Sequence, residues 1–242
     1  MWRGGKGEAR EPRMTGMAWP AGPGEVGRLL AGTPLMAREL PAFDAGAAPG
    51  APGELFARWL AEAVAAGVPD PHAVTLATVD ADGAPDARVL ALRNVDVDGG
   101  GWVFATDATS PKGAQLAARP VAAMTYYWPA RGRQVRLRGR VATAPPDVSA
   151  AEFHARSPRS RVAGLVARQS EPLGSLGEWT DAADAAERRL AAEPDAVPPG
   201  HTVYVLWADE AEFWQGDAGR RHVRLRYRRD ADGGWRRGLL WP

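Results

Sequence analysis

The chain has 242 residues, 45% hydrophobic and 24% charged, with a net charge of +1, which suits one globular domain with a real core and excludes wholesale polyanion binding. It contains no cysteine, so disulfides, thiolate metal sites and cysteine nucleophiles are excluded. No apolar run is long enough for a bilayer and no signal-peptide pattern opens the chain, so a cytoplasmic location is expected.

Residues 1–50, rich in Gly, Pro, Ala and Arg without periodicity, read as a flexible arm in which Met14 and Met17 are alternative starts. Residues 51–242 read as one domain, with its C-terminal segment from about residue 200. Leu55, Phe56, Trp59, Leu60, Ala63 and Val64 recur at helical spacing from Pro52, and Gly67 closes that helix. Strands are expected over 74–79, 88–93 and 102–106, then over 121–128 and 133–141 on either side of a turn at 129–132. Ser110 and Pro111 predict a helix start, an N-cap followed by a proline at the first helical position. Two more helices are expected near 146–156 and 178–193, followed by strands over 202–207, over 212–214 running on to 222–229, and over 235–240. Many short strands with a few helices give a mainly β, α+β fold, a closed barrel with peripheral helices.

Several enzyme classes drop out. His72, His154, His201 and His222 each lack a second ligand at metal-binding spacing, so no metal is expected. There is no nucleophile elbow, dinucleotide fingerprint or phosphate-binding loop. What remains is basic. Period-two reading places Arg220, His222, Arg224, Arg226 and Arg228 on one strand face, a pattern of arginines around a histidine that is suited to an anion. The bland reading is a solvated strand face. The neutral balance and the lack of a nucleic-acid-binding motif argue against nucleic acid as a partner. Thr106, Ser110 and Lys112 surround a helix N-terminus, where backbone N–H groups favour an anion, although an ordinary cap explains the Ser-Pro start equally well. Arg88 and Arg93 lie on opposite faces of a regular strand, and sharing a site requires a bulge or a strand end. Gln134 and Gln169 are ambiguous alone.

Taken in order, the segments at 74–83, 88–93, 104–106, 110–112, 127–128, 132–135, 153–154, 168–170 and 212–216 resemble the pyridoxamine 5′-phosphate oxidase family over residues 52–242. The resemblance implies a homodimeric split β-barrel that binds flavin mononucleotide (FMN) at the subunit interface. It implies that Arg88, Thr106, Ser110 and Lys112 hold FMN, chiefly its phosphate, and that Gln134, Gln169, Trp214 and Arg224 make further FMN contacts. Arg156 and Ser160 match positions that hold the substrate's phosphate, while Arg220 and His222 match a catalytic pair over the substrate's ring near the reacting carbon.

Four positions depart from the family pattern. Arg93 stands where a lysine contacts cofactor and substrate phosphate, Pro111 replaces an arginine, and Val223 replaces an aspartate. Glu152 replaces a tyrosine that donates to the substrate phosphate, and a carboxylate there repels phosphate. Its bland reading is a capping box, Ser149 to Glu152, at a helix start. The implied reaction is oxidation of pyridoxine or pyridoxamine 5′-phosphate to pyridoxal 5′-phosphate, with dioxygen reduced to hydrogen peroxide. The alternatives are oxidation of a dihydro-aromatic intermediate, as in the related phenazine-biosynthesis enzymes, and a flavin-binding protein without turnover. No membrane partner is expected.

Overall fold

The computed structural model describes residue 22 and residues 24–242. Two compact units emerge, residues 1–37 and 38–242. Among the described residues of the first, Glu25–Ala31 form a short helix, α1, with no buried residue. Met14 and Met17 lie outside the described residues.

The second unit begins earlier than the residue-51 boundary read from composition, and residues 38–50 are tied to it. Phe43 meets Trp59 edge to face at 5.1 Å, and the Tyr227 hydroxyl donates to the Pro49 carbonyl at 2.8 Å. The Arg237 guanidinium donates to the carbonyls of Ala45, Gly46 and Ala48. Composition signals disorder here, but a stretch bound through its backbone carbonyls needs no hydrophobic periodicity.

Eight strands form one antiparallel sheet: β1 (Ala73–Val79), β2 (Pro85–Asp96), β3 (Gly101–Asp107), β4 (Val121–Trp128), β5 (Arg133–Thr143), β6 (His201–Gln215), β7 (Val223–Arg229) and β8 (Trp235–Leu240). Their order is β3-β2-β1-β4-β5-β6-β7-β8, and a further pairing of β3 with β6 closes the first six into a barrel. β6 makes this possible. Its first half pairs with β3 and its second half with β7, while β5 follows most of its length through a bulge at Arg138/Gly139. A Cβ at Gly139 would stand 1.9 Å from the Trp207 carbonyl oxygen, so glycine is what lets the strands approach there. The sequence reading split β6 at residues 208–211; the structure shows one continuous strand, in which Ala208 and Ala211 are buried.

The helix α2 (Pro52–Ala65) carries the core-facing stripe that its spacing predicts: Leu55, Phe56, Trp59 and Ala63 are buried, whereas Val64 is exposed. Phe56 packs against Trp102, Tyr126 and Trp128, and Trp59 against Phe213, so α2 supplies two aromatic rings to the barrel core. Arg133, 4.3 Å above the Trp59 ring, bonds Glu62 at 2.6 Å and anchors α2 to β5.

Four helices decorate the barrel: α3 (Pro111–Ala118), α4 (Pro146–His154), α5 (Pro158–Val166) and α6 (Leu176–Ala192). α3 starts as the sequence predicts, with Ser110 accepting from the Gly113 N–H. α5 was not anticipated, although Ser157 and Pro158 repeat the same cap. α5 and α6 close over a small core of Phe153, Leu165 and Ala186. The capping-box reading of Ser149 and Glu152 is corrected: α4 begins at Pro146, and the Ser149 hydroxyl accepts from the Val203 N–H instead.

Candidate functional site

A cavity of about 770 Å³ lies between the barrel and the α5–α6 pair. Among its lining residues are Arg88, Thr106, Lys112, Arg156, Ser160, Gln169 and His201. The barrel side comes from β2, β3 and the start of α3, the helical side from α5, α6 and the loop between them, where Leu173 and Trp179 face the space.

One end is built around Lys112. Its Nζ donates to Gln169 Oε1 at 2.7 Å and to Ser110 Oγ at 3.2 Å, and Thr106 donates to the same Gln169 oxygen at 3.3 Å. Lys112 and Ser110 are buried, and no carboxylate lies within ion-pairing distance of Lys112 among the described residues. Burial, reinforced by the Arg88 charge, holds the Lys112 ammonium below the ordinary lysine value against the pull of Asp107 and Asp86. A buried cation bonded to neutral acceptors, next to the first turn of α3, has the chemistry to receive an anion. Arg88 is fixed at its side. Its guanidinium donates to the Thr78 hydroxyl at 2.6 Å, to the Leu76 carbonyl at 3.2 Å and to Asp86 at 2.5 Å. Hydrogen bonding from Gln115, helped by Arg88, keeps the Asp86 carboxyl below its usual range.

The other end is organised by Glu152, on α4. Its carboxylate accepts from Arg93 Nε at 2.6 Å, from Arg156 Nε at 3.0 Å and from His201 Nε2 at 2.7 Å. Burial alone would raise the Glu152 pKa; hydrogen bonds from Arg156 and His201 and the charges of Arg156 and Arg93 outweigh it and keep the group ionised. Burial and the Arg156 charge hold His201 below the ordinary histidine value despite Glu152, so a neutral imidazole donates its Nε2–H to an ionised Glu152. Arg93 itself lines a shallower groove between α2 and β2. A bulge is present, since the β2–β3 register shifts between Leu92 and Asn94, at Arg93, but Arg88 and Arg93 line different spaces.

Gln134, Trp214 and Arg224 are neighbours across β5, β6 and β7. The His222 ring lies 4.9 Å from that of Trp214, and its Nδ1 accepts from the Asp217 N–H at 3.1 Å, which leaves the proton of the neutral ring on Nε2. Arg220 occupies the turn before β7 with a φ of +64°. None of these five residues lines the cavity. The alternating arginine face is corrected accordingly: Arg220 and His222 precede the strand, which starts at Val223. Arg224 and Arg228 do share a face, but they pair with Glu212 at 2.8 Å and Glu210 at 2.8 Å. Arg136 and Arg138 approach the same two carboxylates at 3.4 Å. Much of that face is therefore a charge lattice.

Sequence reasoning missed Thr78, Asp86 and Gln115 behind Arg88, and His201 and Trp179 in the cavity wall. Thr78 alone left a signal, since its inward parity on β1 matches the buried Val74 and Leu76.

Residues 60–215 match the family model described as pyridoxamine 5′-phosphate oxidase, and residues 201–242 match the pyridoxine 5′-phosphate oxidase C-terminal dimerisation region. A pyridoxine/pyridoxamine 5′-phosphate oxidase of Pseudomonas fluorescens is 42% identical over 197 residues, 81% of this chain and 90% of that protein. One from Bordetella avium is 41% identical over 194 residues, 79% and 89% of the two chains. Among solved structures, PhzG from Burkholderia lata, in complex with tetrahydrophenazine-1-carboxylic acid, superposes with a TM-score of 0.75 at 31% identity, covering 84% of this chain and 99% of that one. With both matches spanning barrel and C-terminal strands, the chain belongs to the pyridoxamine 5′-phosphate oxidase family of FMN-dependent oxidoreductases and has its split-barrel fold.

Proposed function

We propose that the chain is a homodimeric, FMN-dependent oxidase of a planar aromatic substrate carrying an acidic group, and that pyridoxine or pyridoxamine 5′-phosphate is that substrate. The observation that carries the reading is Lys112, a buried cation beside a helix start with no carboxylate partner among the described residues, which fits a phosphate of nearly two negative charges. The names of the relatives support the B6 substrate.

Lys112, Ser110 and the first turn of α3 hold the FMN phosphate with Arg88 beside them, while Thr106 and Gln169 extend the same network. Bound there, FMN would supply a two-electron acceptor for oxidation of the substrate, with dioxygen as the final oxidant reduced to hydrogen peroxide. Gln134, Trp214 and Arg224 make further FMN contacts from the second subunit, which explains why they lie outside the cavity of their own chain and why the dimerisation match covers Trp214 to Arg224. Arg220 and His222 orient the substrate at its reacting carbon, with His222 donating from Nε2. Arg156 and Ser160 receive the substrate's acidic group. Leu173 and Trp179 wall off water, which strengthens each of these charge interactions.

A second reading, a dihydro-aromatic carboxylate as substrate, is favoured by the hold of Glu152 on both Arg93 and Arg156. The test is to mix FMN-loaded protein in air with pyridoxine 5′-phosphate and to assay aldehyde as a coloured Schiff base. Aldehyde at catalytic turnover supports the B6 substrate. Its absence from a protein that holds FMN removes that substrate and leaves the second reading.

A further inference from the structure

The cavity has two cationic poles of different character. At the Lys112 pole the cation meets neutral acceptors. At the other, Arg93 from β2 and Arg156 after α4 converge on one carboxylate, Glu152, whose side chain is only 15% exposed. Both guanidiniums bond it through Nε, which leaves the terminal nitrogens of Arg156 for an anion in the cavity, while Arg93, which lines the neighbouring groove, contributes only its charge. His201 fixes Glu152 from the β6 side as a neutral donor, adding no charge. Two guanidiniums and one carboxylate leave a single net positive charge. Such a pole balances one carboxylate fully. A phosphate monoester carries about −1.5 to −2 at neutral pH and is left about one charge short, beside a fixed carboxylate that repels it.

We propose that Glu152 is a specificity-determining residue: by offsetting one of two guanidinium charges, it tunes the Arg93–Arg156 pole to a singly charged carboxylate in preference to a phosphate dianion. Arg156 and His201 line the cavity and Glu152 lies behind them, so Glu152 acts by orienting and partly neutralising Arg156 rather than by touching the ligand. This rests on reading the cavity as the substrate cavity of the oxidase. It predicts that any phosphorylated substrate binds at this pole against a standing penalty.

The test is calorimetric titration of the FMN-loaded protein at about pH 8, where phosphate is a dianion, with inorganic phosphate and with benzoate. Wild type is expected to bind benzoate more tightly than phosphate, and Arg156→Ala to abolish that binding, which locates it. Glu152→Gln raises the pole to two net charges and is expected to tighten phosphate by about ten-fold while moving benzoate much less. Tighter binding of phosphate than benzoate by wild type overturns the proposal, and this needs no variant. Phosphate affinity unchanged or weakened in Glu152→Gln, or in Glu152→Ser, with the melting transition intact, also overturns it. Failure of the oxidase reading would show differently, as absence of turnover with every substrate while the anion preference persists.

Discussion

Lys112→Met separates what the anion receptor does for the ligand from what it does to the fold. The ammonium is buried, has no carboxylate within ion-pairing distance among the described residues and is held below its ordinary pKa by burial and by Arg88. Methionine keeps the length and apolar stem and removes the charge, so the flavin-free variant is expected to be at least as stable as wild type, by up to about 1 kcal/mol. The gain has a pH signature. A base whose folded pKa is depressed weakens the fold fully below that pKa, and the penalty disappears as pH rises to the ordinary lysine value, near 10.5. The advantage of the methionine variant should therefore shrink on approach to that pH. FMN affinity should move the opposite way. Losing a charge-assisted hydrogen bond to a phosphate costs about 1.5–3 kcal/mol, or roughly ten- to hundred-fold in Kd. Urea midpoints of flavin-free protein across pH, set beside FMN titration by fluorescence quenching, read both effects. Unchanged FMN affinity, or a marked loss of stability without flavin, would refute the assignment of Lys112 as the phosphate receptor.

Two further outcomes follow from the packing and from the Glu152 cluster. Gly139→Ala drives a Cβ against the Trp207 carbonyl at the bulge where β5 follows β6; an overpacking penalty of about 2 kcal/mol lowers Tm by roughly 4–8 °C in a thermal scan. His201 is neutral in the fold with its pKa held below 6.5, so wild type should lose stability as pH falls below the ordinary histidine range. His201→Gln should remove that slope between about pH 7 and pH 5, read from urea midpoints. The acid limb of Glu152, whose folded pKa also lies below its ordinary value, stays until pH falls through the carboxylate range.

Local chemistry carried much of the fold in the sequence. The Ser110–Pro111 cap, the apolar stripe of α2 and the first five strands each depend on residues close in the chain, and each appears close to where it is expected, with β2 reaching three residues further at each end. β6 was harder, because Asp209 and Glu210 interrupt its apolar pattern like a turn, while the structure satisfies Glu210 with Arg138 and Arg228 on neighbouring strands. The Lys112 end of the site was half legible, since Ser110 and Lys112 mark a helix start but Gln169 arrives from far along the chain. The Glu152 hub was legible only through the family resemblance, which sets Arg93, Glu152 and Arg156 around the substrate phosphate and leaves His201 out. Arg93, Glu152, Arg156 and His201 come from β2, α4, the turn after it and β6, and no local pattern joins them. In isolation Ser149 and Glu152 imitate a capping box, a motif that the helix start at Pro146 overrides.

The central claim, a flavin site assembled from two subunits, is tested most directly by complementation. Lys112→Ala disables the half that lines the cavity, and an Arg220→Ala/His222→Ala double variant disables the half beside Trp214. Each alone should show little oxidase turnover. Unfolded and refolded together in equal amounts, half of the dimers are mixed and each mixed dimer holds one intact site, so about a quarter of wild-type activity should return. If the mixture stays as inactive as its parents while the dimer forms, both halves belong to one chain and the account is wrong.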